Sequence, residues 1–167
     1  MGSSAGANMV YNVGLDVTTL VKDLKPLTLR GLLLVQPFFG GVKRTESELN
    51  RTDDQVIPLV VTDLMWELSL PIGANRDDPY CNPLIHGGSR KIGKIRKMYI
   101  QVAALGCDGD PLFYRQVKFV KLLEKRGVAV KSSFCQDGSH GIYIKEVAKI
   151  EEMLRFIKSV FGCYFVD

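Results

Sequence analysis

A chain of 167 residues, 46% apolar and 24% charged, has the make-up of one compact soluble domain with room for a real core. Its net charge of +4 is too small and too scattered to point to nucleic acid. No apolar run reaches the ~18 residues that crossing a bilayer takes, which speaks against a membrane protein.

The Gly/Ser/Ala-rich start carries no Lys or Arg ahead of its apolar stretch, so it does not read as a signal peptide, and a cytoplasmic location is expected. Residues 5–23 predict a helix, with Val10, Val13, Val17, Leu20 and Val21 at helical spacing and Pro26 stopping it. Residues 29–35 form an apolar run between Pro26 and Pro37, of a length that suits a strand buried on both faces. A Gly- and charge-rich loop is expected over 37–51, a helix over 58–70 between Pro58 and Pro71, and irregular chain over 72–89. A second buried strand is predicted at 98–105, an amphipathic helix at 112–126 ended by Gly127, a third strand at 128–135 and a last helix at 148–161. Strands alternating with helices predict the α/β class: an open, mostly parallel sheet with helices on both faces. Three strands are few for such a sheet, which predicts that one edge lacks a neighbour. Cys81, Cys107, Cys135 and Cys163 show no CxxC spacing and read as reduced, mostly buried thiols.

Gly2-Ser3-Ser4-Ala5-Gly6 is a G-x-S-x-G pentapeptide running directly into the first helix. On a tight strand-to-helix turn such a serine presents its Oγ as a nucleophile, the flanking glycines leave room, and the backbone N–H of Ala5 is an oxyanion-hole donor. A serine needs a base and an orienting acid. His140, in Asp137-Gly138-Ser139-His140-Gly141, follows one predicted strand, and Asp110, in Gly109-Asp110-Pro111-Leu112, follows the strand before it. Neighbouring parallel strands end on one edge of the sheet, where open sheets build their sites. Ser4, Asp110 and His140 also stand in the chain order Ser, Asp, His that α/β-hydrolases use.

Each member has a plainer role available. A disordered tail opens many chains with small residues, an aspartate before proline commonly caps a helix, and loop histidines are commonly surface groups. The conjunction of type, order and strand-end placement favours the catalytic reading. His86-Gly87-Gly88 superficially matches an HGG oxyanion motif, but it falls after the serine instead of before it and reads as a solvated loop. Arg90, Lys91, Lys94, Arg96 and Lys97 could bind phosphate, yet the interleaved Ile92 and Ile95 favour an amphipathic, solvated segment. Phe38, Phe39 and Trp66 are candidates for a substrate pocket or for the core.

The stretches GLLLVQPFFGGVKRTESE at 31–48, DLMWELSLP at 63–71, NRDDPYCNP at 75–83 and GCDGDPL at 106–112 closely resemble plant carboxylesterases, in the hormone-sensitive-lipase-like branch of the α/β-hydrolases. The resemblance covers essentially the whole chain. It implies a small-molecule ester hydrolase with Ser4 as nucleophile, Asp110 as acid and His140 as base, with no cofactor. It further implies that 1–167 is the C-terminal part of one α/β-hydrolase domain, with 37–90 contributing part of a cap beside which Phe38, Phe39 and Trp66 meet substrate. The family's HGGG oxyanion loop and the strand leading into Ser4 are then expected to be missing. Two local departures stand out: Ser3 where the family has Asp or Thr, and Tyr114 ahead of Arg115-Gln116 where it often has Asp, which predicts loss of a local salt bridge or cap. Besides hydrolysis, the resemblance leaves open an inactive fragment, a receptor-like binder or a dehydratase.

Overall fold

Leu32 and Leu34 alternate with Leu33 and Val35 along one strand, and all four are buried. A strand apolar on both sides has to lie between two layers of covering structure. The computed structural model, which describes residues 1–20, 24–85, 92–96 and 101–162, places it there. The elements are β1 (Gly2–Ser3), α1 (Ala5–Leu20), β2 (Gly31–Val35), α2 (Glu46–Leu49) and α3 (Leu59–Ser69). A short helix at 92–96 (α4) follows, then β3 (Gln101–Cys107), α5 (Phe113–Lys125), β4 (Val130–Cys135), α6 (Ile142–Lys145) and α7 (Val147–Phe161).

The four strands run in the order β1-β2-β3-β4, each parallel to the next. One face buries Leu32, Leu34 and Val102 against Ala7, Tyr11 and Leu15 of α1, Ile92 and Ile95 of α4, and Phe119 and Leu123 of α5. The other face buries Leu33, Val35, Ala103 and Leu105 against Ile142 and Tyr143 of α6 and Met153 and Phe161 of α7. The predicted class therefore holds, with a fourth strand added. Gly2 and Ser3 pair with Leu34 and Val35, so two residues of the strand expected to be missing ahead of Ser4 are present.

The predicted boundaries moved for identifiable reasons. The third strand starts at Val130 because the Val128 N–H is already bonded to the carbonyl of Leu123, closing α5. The second strand runs on to Cys107, pairing with Cys135. The loop expected over 37–51 contains α2, whose Thr45-Glu46-Ser47-Glu48 start is a capping box: the Thr45 N–H donates to Glu48 Oε2 at 2.7 Å. Residues 21–23, 86–89 and 98–100 of the predicted elements lie outside the described residues. Among those described, Cys81, Cys107 and Cys135 are free and buried, and no helix is long and apolar enough to cross a membrane.

Next to Tyr114, where loss of a local salt bridge or cap is expected, Arg115 does form a buried ion pair. Arg115 is 3% exposed and grips Glu48 through Nε (3.0 Å) and one terminal nitrogen (2.8 Å), while also donating to the carbonyls of Gly40 and Lys43. This fork ties the segment after β2 to α5. Removing one partner strands a buried charge. Arg115→Ala should therefore cost about 3–5 kcal/mol, a large part of a domain's stability, read as a lower urea midpoint. A loss below about 1 kcal/mol would show that water reaches Glu48.

Burial also pushes the thiols of Cys81 and Cys107 up to about 12, the latter helped by its contact with Cys135, and raises the Tyr11 and Tyr143 phenols. These are neutral acids whose folded pKa lies above the unfolded one. Once pH passes the free-thiol range near ~8.5, the unfolded chain loses protons that the folded chain keeps, and stability falls. The melting temperature should be steady through neutral pH and drop progressively above about pH 8.5. A Tm that rises on going alkaline would contradict this burial.

Candidate functional site

Ser4 stands between β1 and α1 with φ of 53°, a left-handed conformation that costs energy for a side-chain-bearing residue. The neighbouring backbone holds it there. Its N–H donates to the carbonyl of Val35 at 2.9 Å, and its own carbonyl accepts from Phe38 at 3.1 Å and Ala7 at 3.0 Å. Gly2 is obligatory for this turn, since a Cβ there would sit 2.3 Å from the carbonyl oxygen of Gly6. For the second glycine of the pentapeptide, a Cβ on Gly6 meets nothing within 4 Å among the described residues. Ala5 opens α1, where the first N–H groups have no partner within the helix, and it is exposed.

Asp110 and His140 occupy the loops after β3 and β4, on the same edge of the sheet. Those loops touch backbone to backbone, because a Cβ on Gly109 would fall 1.5 Å from the carbonyl oxygen of Gly138. The contact sets the reach between the two side chains. His140 Nδ1 lies 2.9 Å from Asp110 Oδ2, and His140 Nε2 lies 2.8 Å from Ser4 Oγ. Asp110 is fully buried, His140 is 3% exposed and Ser4 is half-buried. With Nδ1 facing a carboxylate, that nitrogen carries the proton, and Nε2 offers its lone pair to the serine hydroxyl. A hydroxyl, an imidazole and a carboxylate in series are what nucleophile activation requires.

The Asp110 carboxylate serves two functions, one per oxygen. Oδ1 accepts from the Leu112 N–H at 2.8 Å, closing a turn ahead of α5; the N-cap position weighed for Asp110 is instead taken by Leu112. Oδ2 accepts from His140, from Gln116 Nε2 at 2.9 Å and from Gln36 Nε2 at 3.1 Å. Neither glutamine was singled out in the sequence. One signal was available for Gln36: it is a polar residue at the C-terminal end of an apolar strand, the edge toward which the loops of Asp110 and His140 also open.

The pocket candidates separate. Phe38 stacks on Trp66, ring centroids 5.2 Å apart, in a small cluster with Ile57, Cys81 and Leu112. Trp66 also borders a cavity of about 480 Å³ together with Asp63, Leu70, Ile72 and Arg76. Phe39 is in the main core, edge-on to Tyr11 and tilted against Phe119. His86 and the basic residues Arg90, Lys91 and Lys97 lie outside the described residues. Lys94 and Arg96 are exposed on a turn whose Ile92 and Ile95 are buried, as the amphipathic reading predicts.

Over residues 1–144 the chain matches the alpha/beta hydrolase fold family, and it belongs to that family. Its curated relatives include Carboxylesterase 20 of Arabidopsis thaliana, 44% identical over 159 residues, covering 95% of this chain and 49% of that protein. A 3-O-acetylpapaveroxine carboxylesterase, CXE2, of Papaver somniferum is 43% identical over 142 residues, covering 85% of this chain and 45% of the relative. The chain thus spans about half the length of the curated relatives it matches. Among solved structures, the Pyrobaculum calidifontis esterase superposes with a TM-score of 0.71 over 99% of this chain and 52% of that one, at 16% identity, a likeness of fold.

If the 109–138 contact sets the loop spacing, Gly109→Ala must push the loops apart. Overpacking of this kind costs about 1–3 kcal/mol, with a backbone atom at the clash placing it toward the upper end. A urea titration checks the cost, and a crystal structure of the variant should show the Asp110–His140 contact lengthened. An unchanged contact would mean that something other than the loop spacing holds it.

Proposed function

We propose that the site is that of a serine carboxylesterase acting on small carboxylic esters. The observation that carries this reading is the continuous contact from Ser4 Oγ through His140 to Asp110, with the serine on a strained strand-to-helix turn. In the mechanism, Ser4 Oγ attacks the ester carbonyl while His140 Nε2 takes its proton. The Ala5 N–H stabilises the oxyanion of the tetrahedral intermediate. Collapse breaks the C–O bond to the alcohol, which leaves with the proton from His140. Water then attacks the acyl-serine, again losing its proton to His140, and the carboxylic acid departs as Ser4 is regenerated. Asp110 holds the imidazole in the tautomer that this requires.

By the resemblance, the 37–90 segment contributes part of a cap over the acyl group; Phe38, whose N–H donates to the Ser4 carbonyl, and Trp66, stacked on Phe38, are its candidates beside substrate. Phe39 supports the pocket from the core. A receptor-like or dehydratase role is the competing reading, and the intact histidine-to-serine contact favours hydrolysis over both. The relatives' greater length bears on rate. The resemblance puts further oxyanion donors in a Gly-rich loop outside these 167 residues, and one such donor is worth about 10²–10³ in kcat.

Turnover of a nitrophenyl acetate tests the proposal. Ser4→Ala and His140→Ala should each remove essentially all hydrolysis, and Asp110→Asn should lower kcat on the order of 10⁴-fold by favouring the wrong tautomer. Hydrolysis that survives both Ser4→Ala and His140→Ala would locate the chemistry elsewhere. The 167-residue chain should turn over more slowly, by at least about 10²-fold, than a longer polypeptide that carries an HGGG loop. Equal rates would show that Ala5 supplies enough oxyanion stabilisation by itself.

A further inference from the structure

The structure assigns Gln36 as the positioning residue of the His140–Asp110 pair, an inference that rests on the triad reading above. Gln36 is fully buried and sits directly after β2 with φ of 44°, a conformation that only the surrounding contacts can hold in place. Its main-chain N–H donates to the carbonyl of Leu105, fixing the residue against the end of β3. Its side-chain amide then makes three bonds, each to a different part of the site. Nε2 donates to Asp110 Oδ2 at 3.1 Å and to the Ser139 carbonyl at 2.9 Å, and Oε1 accepts from the Gly141 N–H at 2.8 Å.

Ser139 and Gly141 flank His140. One amide therefore grips the histidine loop on both sides of the imidazole and, through the same nitrogen, the carboxylate oxygen that the imidazole faces. Its donor and acceptor ends are both used, so a carboxylate or a hydrocarbon of the same shape cannot replace it. Gln116 contacts the same Asp110 oxygen from α5 but does not reach the loop, and its own Oε1 is buried without a partner. Of the two glutamines, Gln36 alone couples acid to base. It does not contact Ser4 Oγ, so it acts through the pair and not on substrate.

The first test reads the imidazole itself and needs no turnover. His140 is one of two histidines, so protein labelled with ¹⁵N-histidine, with His86→Gln for assignment, reports its tautomer by long-range ¹H–¹⁵N spectra. The unaltered chain should show one tautomer, protonated at Nδ1. Gln36→Met should show mixed or exchange-broadened tautomers while still unfolding cooperatively. Where Gln36→Met fails to fold, Gln36→Asn replaces it: asparagine tolerates the left-handed backbone, but its shorter amide cannot span both sides of the loop. A single Nδ1-protonated tautomer persisting in the folded variant overturns the inference.

The second test is kinetic. A 1 Å misplacement of a reacting group costs on the order of 10²-fold, so kcat for the nitrophenyl ester should fall about a hundredfold with KM unchanged. In an Asp110→Asn background the same Gln36 change should cost little more, because the two act as one unit. Additive losses in the double variant would assign Gln36 a merely structural role. Should Ser4→Ala retain hydrolysis, the esterase reading fails, while the tautomer experiment still decides the role of Gln36.

Discussion

A carboxylate taken wholly out of water has to be met by donors from the protein, and Asp110 is such a group. Four donors converge on it, from Leu112, Gln116, Gln36 and His140. They come from the start of α5, the end of β2 and the loop after β4. Satisfying this one charge therefore fixes the relative placement of three segments distant in sequence. The geometry around His140 follows: with the acid held, the imidazole has one way to face, and its second nitrogen reaches Ser4.

The sheet makes this convergence possible. Parallel strands send their C-terminal ends to one edge, so the residues just after β1, β2, β3 and β4 become neighbours. Ser4, Gln36, Asp110 and His140 each stand at or near such an end. Two of the positions carry positive φ, at Ser4 and Gln36, so backbone strain is concentrated where the side chains must be aimed. The Arg115–Glu48 fork, next in sequence to Gln116, anchors the segment after β2 to the helix whose start holds Asp110. Fold stability and site geometry thus share α5.

Much of this was legible from the residues. An apolar run bounded by Pro26 and Pro37 marked β2, and the strand-end loops marked Asp110 and His140. The pairing of Gly2 and Ser3 was not legible, since two residues carry no periodicity and only their register against Leu34 and Val35 makes them a strand. Helix α2 was legible and overlooked: Thr45 and Glu48 carry the capping-box signal inside a loop dense in glycine and charge. Gln116, inside α5, escaped because a neutral amide has no signature of its own, and Gln36 offered only its place at a strand end. Their importance arises from what the fold brings to them. Phe39 shows the converse, an aromatic whose spacing leaned toward the core, where the packing of Tyr11 and Phe119 places it.

In the proposed triad, His140 and Asp110 make the Ser4 hydroxyl nucleophilic. The most direct measurement is reaction with a fluorophosphonate, in which Oγ forms a bond to phosphorus, fluoride leaves and the hydroxyl proton passes to His140. Peptide mass spectrometry should find the adduct on the peptide containing Ser4, formed by the folded chain and lost on unfolding in urea and in His140→Ala. An adduct spread over other serines, or one on Ser4 formed equally fast without His140, would contradict the account.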